Sequence, residues 1–561
     1  MNLSQIFNSQ TKTITFAAIL LGFSAGFSRL LGLVRNGLLA GFFGTGSEVN
    51  IYLAAFRIPD FVYNFLIVGG LTVAFLPIFS EYFSKEKEKA WEMVSYVLNV
   101  FLFLLILSSL VLFILAPFLI KIIVPGFSAE DQNLTVFLTR LMFLSPILFG
   151  LSSIFSGVLH HFNRFFIYSL APIFYNVGII FGILFFYPIF GLPGLSYGVI
   201  LGAFLHLIIQ VPSVRNCGFR YKLLFNFKYP AIKKIFRLMI PRSFAIAAQQ
   251  INLIVITAIA STIVGGIAIF NYANDLHYFP IGIIGIPFAL AVFPALSRNW
   301  AKGQKEKFLE IFSSVFRQIV FLIIPISVLI FILRAQLVRL VLGTLGPGNF
   351  DWSDTRLTAA SLGLFSIGIL ASALIPFISR AFFSFQDTKT PTLIAVASVV
   401  INIILSFSLI WLLKYSSYFQ ILMSDILKLK GIENISIIGL PLAFSLAAIF
   451  QFFFLLTFLN KKIDGLKGKE IFSSFTKVFV TSLFMGFIVY FSLRFLDKFF
   501  IIERVWGLFI QTALAGLLGV LLYFAIAFIF KFPELTAITD SFKKQFQKKI
   551  APSEIEITKP S

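Results

Sequence analysis

The sequence predicts an all-α polytopic membrane protein of about fourteen transmembrane helices. It places two pseudo-symmetric six-helix lobes around a central cavity and adds two extra C-terminal helices. Three observations predict this. The 561 residues are 58% hydrophobic and 12% charged, with a mean hydropathy of +0.95, whereas an ordinary soluble domain carries about 25% charged residues. Apolar runs long enough to cross a bilayer as helices, about 20 residues or more, recur along the whole chain. The loops between these runs alternate between strongly basic and nearly free of positive charge.

In chain order the runs cover 13–43, 51–80, 92–124, 134–159, 165–187, 192–212, 235–264, 267–297, 308–342, 356–384, 390–413, 435–459, 471–496 and 505–530. Pro and Gly inside several of them predict kinked helices lining a cavity. The basic connections are SKEKEK (84–89), the segment from Arg215 to Arg237, RNWAKGQKEK (298–307), RAFFSFQDTK (380–389), KKIDGLKGK (461–469) and the C-terminal tail. With Lys12 and Arg164 they hold 28 Lys and Arg, against five in the alternate set of loops. That bias puts the basic loops and both termini in the cytoplasm, and an even number of spans agrees. The net charge of +21 is therefore mainly topological, which argues against a nucleic-acid partner.

The first run is too long and too rich in arginine for a removable signal peptide. A single cysteine, Cys217, excludes internal disulfides and cysteine metal clusters. His160, His161, His206 and His277 offer no spaced pair for zinc, so no metal site is expected. No phosphate-cradling glycine loop, nucleophile with its base, or paired-carboxylate site is present, so an enzyme is not expected.

A weak internal repeat supports the two lobes. AAFRIPDFVYNFLIVGGLTVAFLPIFSEY (54–82) returns as NYANDLHYFPIGIIGIPFALAVFPALSRN (271–299), with Ala74, Pro77 and Ser80 falling on Ala291, Pro294 and Ser297. The offset is about six spans, a common transporter plan. The expected organisation is an N-terminal lobe (1–216), a basic cytoplasmic linker (217–234), a C-terminal lobe (235–460), spans thirteen and fourteen (461–530) and a basic tail (531–561).

The costly residues are those with charge inside a span. FSRLLGLVRNGLLAGFFG (27–44) carries Arg29 and Arg35, flanked by Ser28 and Asn36. A guanidinium keeps its charge at bilayer depth and costs at least a few kcal/mol there. Six residues apart, the two rise by about 9 Å and point about 120° apart, and no Asp or Glu in the run can pair with them. Either they pair with a carbonyl or distant carboxylate or reach water, or they face an anion such as a pyrophosphate. Arg57, Asp60 and Asn64 cluster in the second span, as an internal ion pair or as part of the same cavity. Gln249, Gln250 and Asn252 in the seventh span fit interhelical or substrate hydrogen bonds. Asn274, Asp275 and His277 form the polar cluster of the eighth, with Asp275 a counter-ion, a structural partner or a protonatable group.

Asp387, Lys389 and Thr390 precede Pro391 at a loop-to-helix junction, where Asp387 or Thr390 caps the helix. The segment 418–432 reads as a short interfacial helix. DSFKKQFQKKI (540–550) reads as either a membrane-surface helix or a solvated basic tail.

SRLLGLVRN (28–36), the 54–82 stretch, NYANDLHYFP (271–280) and FSFQDTKTP (383–391) together resemble the MurJ (MviN) lipid II flippases. That family belongs to the multidrug, oligosaccharidyl-lipid and polysaccharide exporter superfamily. The resemblance runs over nearly the whole chain and implies a transporter in the bacterial cytoplasmic membrane, active in peptidoglycan and cell-wall biogenesis. It implies movement of undecaprenyl-pyrophosphate-linked disaccharide pentapeptide by alternating access, without a cofactor and with coupling to membrane potential or a monovalent ion. Cell-wall synthesis proteins are candidate partners. The family's first-span arginines map onto Arg29 and Arg35, and the serine beside the first onto Ser28. The chain departs from the family pattern at Asn36, where an aspartate is usual, and at Tyr63 and Asp275, where arginines are usual. Arg57 or Arg242 are candidate replacements. Another polyprenyl-linked oligosaccharide, or a drug moved against a cation gradient, are the alternative substrates; two first-span arginines argue against a cationic drug.

Overall fold

A lipid bilayer leaves no water for unpaired backbone groups, so apolar runs of this length must fold as helices. The computed structural model describes residues 14–501, 504–537 and 539–540, with side chains except at 14–21, 69, 70, 72, 73, 241, 242, 244 and 245. Among the described residues there is no strand. Twelve helices there are long and apolar enough to cross a membrane. Helices Ile14–Phe43 and Pro230–Ser261, of 30 and 32 residues, take the places of the first and seventh expected spans. All fourteen expected spans are thus helical. The segment 418–432 is helical only over Ser417–Leu427, with Tyr418, Ile421 and Ile426 exposed, and continues as a turn beyond it. The tail beyond residue 540 lies outside the described residues.

The described chain forms two compact units, one of residues 14–39 and 46–267, the other of 40–45 and 268–540. The seventh span therefore packs in the first unit. Its Ser243 donates to the Phe65 carbonyl at 2.8 Å.

The repeat is visible in the backbone. The second span breaks into a π-helical segment at Asn64–Leu71, and the eighth breaks the same way at Ile281–Gly285, starting 217 residues later. The same offset relates Pro77 to Pro294, each inside the helix that follows. Helices three and nine have 37 and 38 residues, and spans four and ten have 33 each. A π break inserts an extra residue per turn and is common at functional sites.

Each unit is closed by a different packing device. In the first, the fifth and sixth spans approach backbone to backbone at Gly178, Gly182, Gly198 and Gly202, where there is no room for a side chain. Small residues let membrane helices gain dispersion contacts that a hydrophobic effect cannot supply in lipid. In the second, rings stack: Phe312 lies on Phe377 at 4.9 Å, within a buried cluster that includes Phe308 and Phe316. Spans thirteen and fourteen belong to this unit, held by Tyr523 donating to the Phe321 carbonyl at 2.8 Å and by Arg317 set between Glu470 and Glu534.

The 384–389 junction is a cap, as the sequence implied. Asp387 accepts from the Thr390 amide at 3.0 Å and the Thr390 hydroxyl at 2.9 Å, and is ion-paired to Lys462 at the end of the twelfth span. Burial pushes the Asp387 carboxyl up, but these hydrogen bonds and the Lys462 charge outweigh it and hold the carboxyl below its usual range. Lys389 is exposed.

Candidate functional site

The polar core of the first unit is built where the first span meets the fifth. Asn176, a buried amide in a largely apolar helix, donates to the Ser28 carbonyl and hydroxyl, both at 3.2 Å. Its oxygen accepts from Arg35 Nη1 at 3.4 Å. Asn36 Oδ1 accepts from Arg35 Nε at 3.1 Å and Nη2 at 2.9 Å. One turn earlier, Ser24 donates to Ser169 at 3.0 Å. Ser28, Arg35, Asn36 and Asn176 thus form one chain of hydrogen bonds.

That chain orients a charge without neutralising it. Its acceptors for Arg35 are two neutral amides, and they occupy three of the five guanidinium N–H groups, leaving two for a ligand. Asn36 grips Arg35 with a single oxygen, where a carboxylate would cancel the charge. Arg29 is partly exposed and makes no hydrogen bond or ion pair among the described residues.

The second span adds the remaining charges of the first unit. Arg57 Nε donates to Thr257 Oγ1 of the seventh span at 2.7 Å. Asp60 lies in the fields of both Arg57 and Arg35, so the three form one electrostatic group. Asn64 uses its amide on its own helix, donating to the Asp60 carbonyl at 2.8 Å at the start of the π segment. Tyr63 packs against Phe149 at 5.3 Å, so here a phenol fills the position that the resemblance assigns to a cation.

The other expected residues are dispersed. On the seventh span Gln249 is exposed and Asn252 buried. The side chain of Arg242 lies outside the described residues. In the second unit, Asp275 is exposed, Asn274 is partly exposed and His277 is buried. His277 stacks on Phe365 at 4.8 Å and meets Phe444 edge-on at 5.8 Å, with no hydrogen-bond partner for either ring nitrogen among the described residues. Residues two apart on a helix point about 200° apart, so Asp275 and His277 cannot act together. The second unit also holds an apolar groove of about 690 Å³ between spans nine, ten and thirteen, lined by residues such as Val328, Phe331, Leu370, Phe479 and Phe487.

Asn176 is the residue of this polar cluster that the sequence reading did not single out. Its signal was present: it is the one Asn, Gln or charged residue in the run 165–187. The Cys217 thiol, outside the spans, is pushed up to about 11 by burial, with Arg164 pulling the other way, so it stays protonated and unreactive. Among the described residues no group of His, Cys, Asp and Glu could hold a metal ion.

A long-helix fold with a repeated six-span plan, broken second and eighth spans, and first-span arginines that no carboxylate bonds directly among the described residues defines a polytopic membrane transporter. Solved structures agree on the fold. The chain superposes on a lipid II flippase MurJ in an inward closed conformation with a TM-score of 0.72 and 24% identity, over 91% of this chain and 98% of that one. It superposes on an inward-facing multidrug resistance MATE family transporter with a TM-score of 0.61 and 14% identity, over 78% and 95%. The sequence profile described as lipid II flippase MurJ matches residues 39–510. A probable lipid II flippase MurJ of Rhizobium tropici is 30% identical over 405 residues, 70% of this chain and 74% of that protein. The lipid II flippase MurJ of Burkholderia cenocepacia is 27% identical over 385 residues, 67% and 74%. The chain belongs to the MurJ lipid II flippase family.

Proposed function

We propose that this protein moves lipid II, the undecaprenyl-pyrophosphate-linked disaccharide pentapeptide, from the inner to the outer leaflet of the bacterial cytoplasmic membrane by alternating access. The termini and basic loops lie in the cytoplasm, and Arg29 and Arg35 bind the pyrophosphate. One observation carries the reading beyond family membership: among the described residues Arg29 has no hydrogen-bond or ion-pair partner, and Arg35 has only the neutral amides of Asn36 and Asn176 as acceptors. A fixed cation inside a span, costing about 2.5–3.5 kcal/mol on insertion scales, is retained where an anion comes to it. Arginine suits a pyrophosphate because its planar fork gives paired, charge-assisted bonds. The apolar groove of the second unit suits an isoprenoid tail, which needs burial and no polar contact.

Transport draws on membrane potential or a monovalent ion rather than on a bound cofactor. Tyr63 and Asp275, where cations are usual in the family, favour a second reading in which the lipid carries a different saccharide. Asn36 works against that loss, since replacing a carboxylate with an amide raises the local charge by one. Depletion of the resident flippase in cells that need lipid II export tests the proposal. Expression of this chain is expected to restore growth and outer-leaflet lipid II. Restoration of neither, with the protein inserted, removes lipid II as the substrate.

A further inference from the structure

The first unit holds a cavity of about 550 Å³ that none of the arginine-cluster residues lines. Its walls are apolar, from Leu102 of the third span, Leu151 and Phe155 of the fourth and Leu207 of the sixth, and Arg215 and Arg220 line it at the end nearest the basic linker. Leu151, Phe155 and Leu207 lie within about three turns of that end of their helices, and Leu102 lies about four turns in from Lys87. The cavity is within the range of about 300–1,000 Å³ typical of ligand pockets.

The linker that borders it is fixed rather than loose. Phe219 packs on Trp91 at 5.9 Å and on Phe155 at 6.0 Å. Asn99 of the third span donates to the carbonyls of Lys222 and Leu224, at 3.1 and 2.9 Å, and accepts from the Tyr221 hydroxyl at 2.7 Å. Along RYKLLFNFKY (220–229) apolar and basic residues interleave in an irregular segment, and Tyr221, Phe225 and Phe227 stay exposed, as does Leu223 at 84%. Exposed aromatics interleaved with Lys and Arg belong at the headgroup level of a bilayer. Arg215 and Arg220 are exposed, and neither guanidinium has a hydrogen bond or ion pair among the described residues.

We propose that this cavity is a binding site for an anionic phospholipid of the leaflet that meets the basic loops. An acyl chain fills the apolar cavity, and the lipid phosphate sits between Arg215 and Arg220. Two cations with no partner among the described residues, at the rim of an apolar pocket and at headgroup depth, match an anionic phospholipid, which joins a phosphate charge to hydrocarbon chains. The site is separate from the Arg29 and Arg35 cluster and independent of which lipid is transported.

The test is native mass spectrometry of the full chain released from nanodiscs holding equal amounts of phosphatidylglycerol and phosphatidylcholine. The wild type is expected to retain phosphatidylglycerol on the order of tenfold over phosphatidylcholine. The R215Q/R220Q double variant is expected to lose that preference, and Lys302→Gln, an exposed cation elsewhere, to keep it. Leu151→Trp, which fills the cavity, is expected to lower phosphatidylglycerol retention with both arginines in place. Equal retention of the two lipids by the wild type, or an unchanged preference in R215Q/R220Q, overturns the proposal. Full displacement by millimolar glycerol phosphate also overturns it, since that shows a free phosphate site with no role for the chain.

Discussion

The second and eighth spans are two versions of one helix with opposite chemistry. Both break into a π segment at the same place, 217 residues apart, and both carry a proline after it. At that offset Arg57 falls on Asn274 and Asp60 on His277. In the first unit the pair joins Arg35 in one electrostatic group. In the second, an amide stands for the cation, and the carboxylate position holds an imidazole packed between Phe365 and Phe444. The backbone plan is thus indifferent to charge. What separates the units is that the first surrounds its cations with amides and hydroxyls, while the second fills the equivalent volume with rings.

The comparison is broken most severely by deleting charge from the first unit. Arg29→Ala and Arg35→Ala are each expected to lower lipid II flux by about tenfold to a hundredfold at unchanged levels of inserted protein, since a charge-assisted hydrogen bond is worth about 1.5–3 kcal/mol. Asn274→Ala, the counterpart in the second unit of Arg57, is expected to change flux less than about twofold. Outer-leaflet lipid II in cells carrying each variant decides between them. Asn176→Ala comes next. It frees Arg35 from one neutral acceptor and Ser28 from its donor, and flux is expected to fall by about fivefold, the worth of a neutral hydrogen bond.

A smaller effect sharpens the other side. His277→Phe is expected to leave flux unchanged and to stabilise the protein by about 1 kcal/mol, because it removes two buried nitrogens that lack partners; thermal unfolding in detergent reads this. The smallest effect is at the Asp387 cap. Its carboxyl titrates below the ordinary value of about 3.9, so its stabilisation is present above that pH and is lost as the pH falls through the lower folded value. Asp387→Asn is therefore expected to lower stability near pH 7 by about 1 kcal/mol or less. The gap from wild type should close as the pH approaches the low end of the carboxylate range.

Much of this was legible in the sequence because the bilayer simplifies the code. Each of the fourteen apolar runs is helical, and the offset read from Ala74, Pro77 and Ser80 reappears as a shared π break. The first-span arginines stood out because charge in lipid is costly. What was not legible is which polar residues meet. Ser28 and Arg35 are joined through Asn176, 141 residues from Arg35, and no spacing rule within one helix reaches that far. Asn274, Asp275 and His277 look like a cluster on paper, yet a 100° step per residue sends Asp275 and His277 to different sides. The packing of the seventh span in the first unit likewise depends on contacts such as Arg57 with Thr257, which pair residues 200 positions apart.

The central claim is that the first-span arginines read the pyrophosphate rather than the sugar or the tail. Equilibrium binding in nanodiscs, comparing lipid II with an undecaprenyl disaccharide pentapeptide lacking the pyrophosphate, tests it most directly. Wild-type protein should bind lipid II at least about tenfold more tightly, and the Arg29→Ala/Arg35→Ala double variant should bind both lipids alike. A double variant that still prefers lipid II by the wild-type margin would contradict the account.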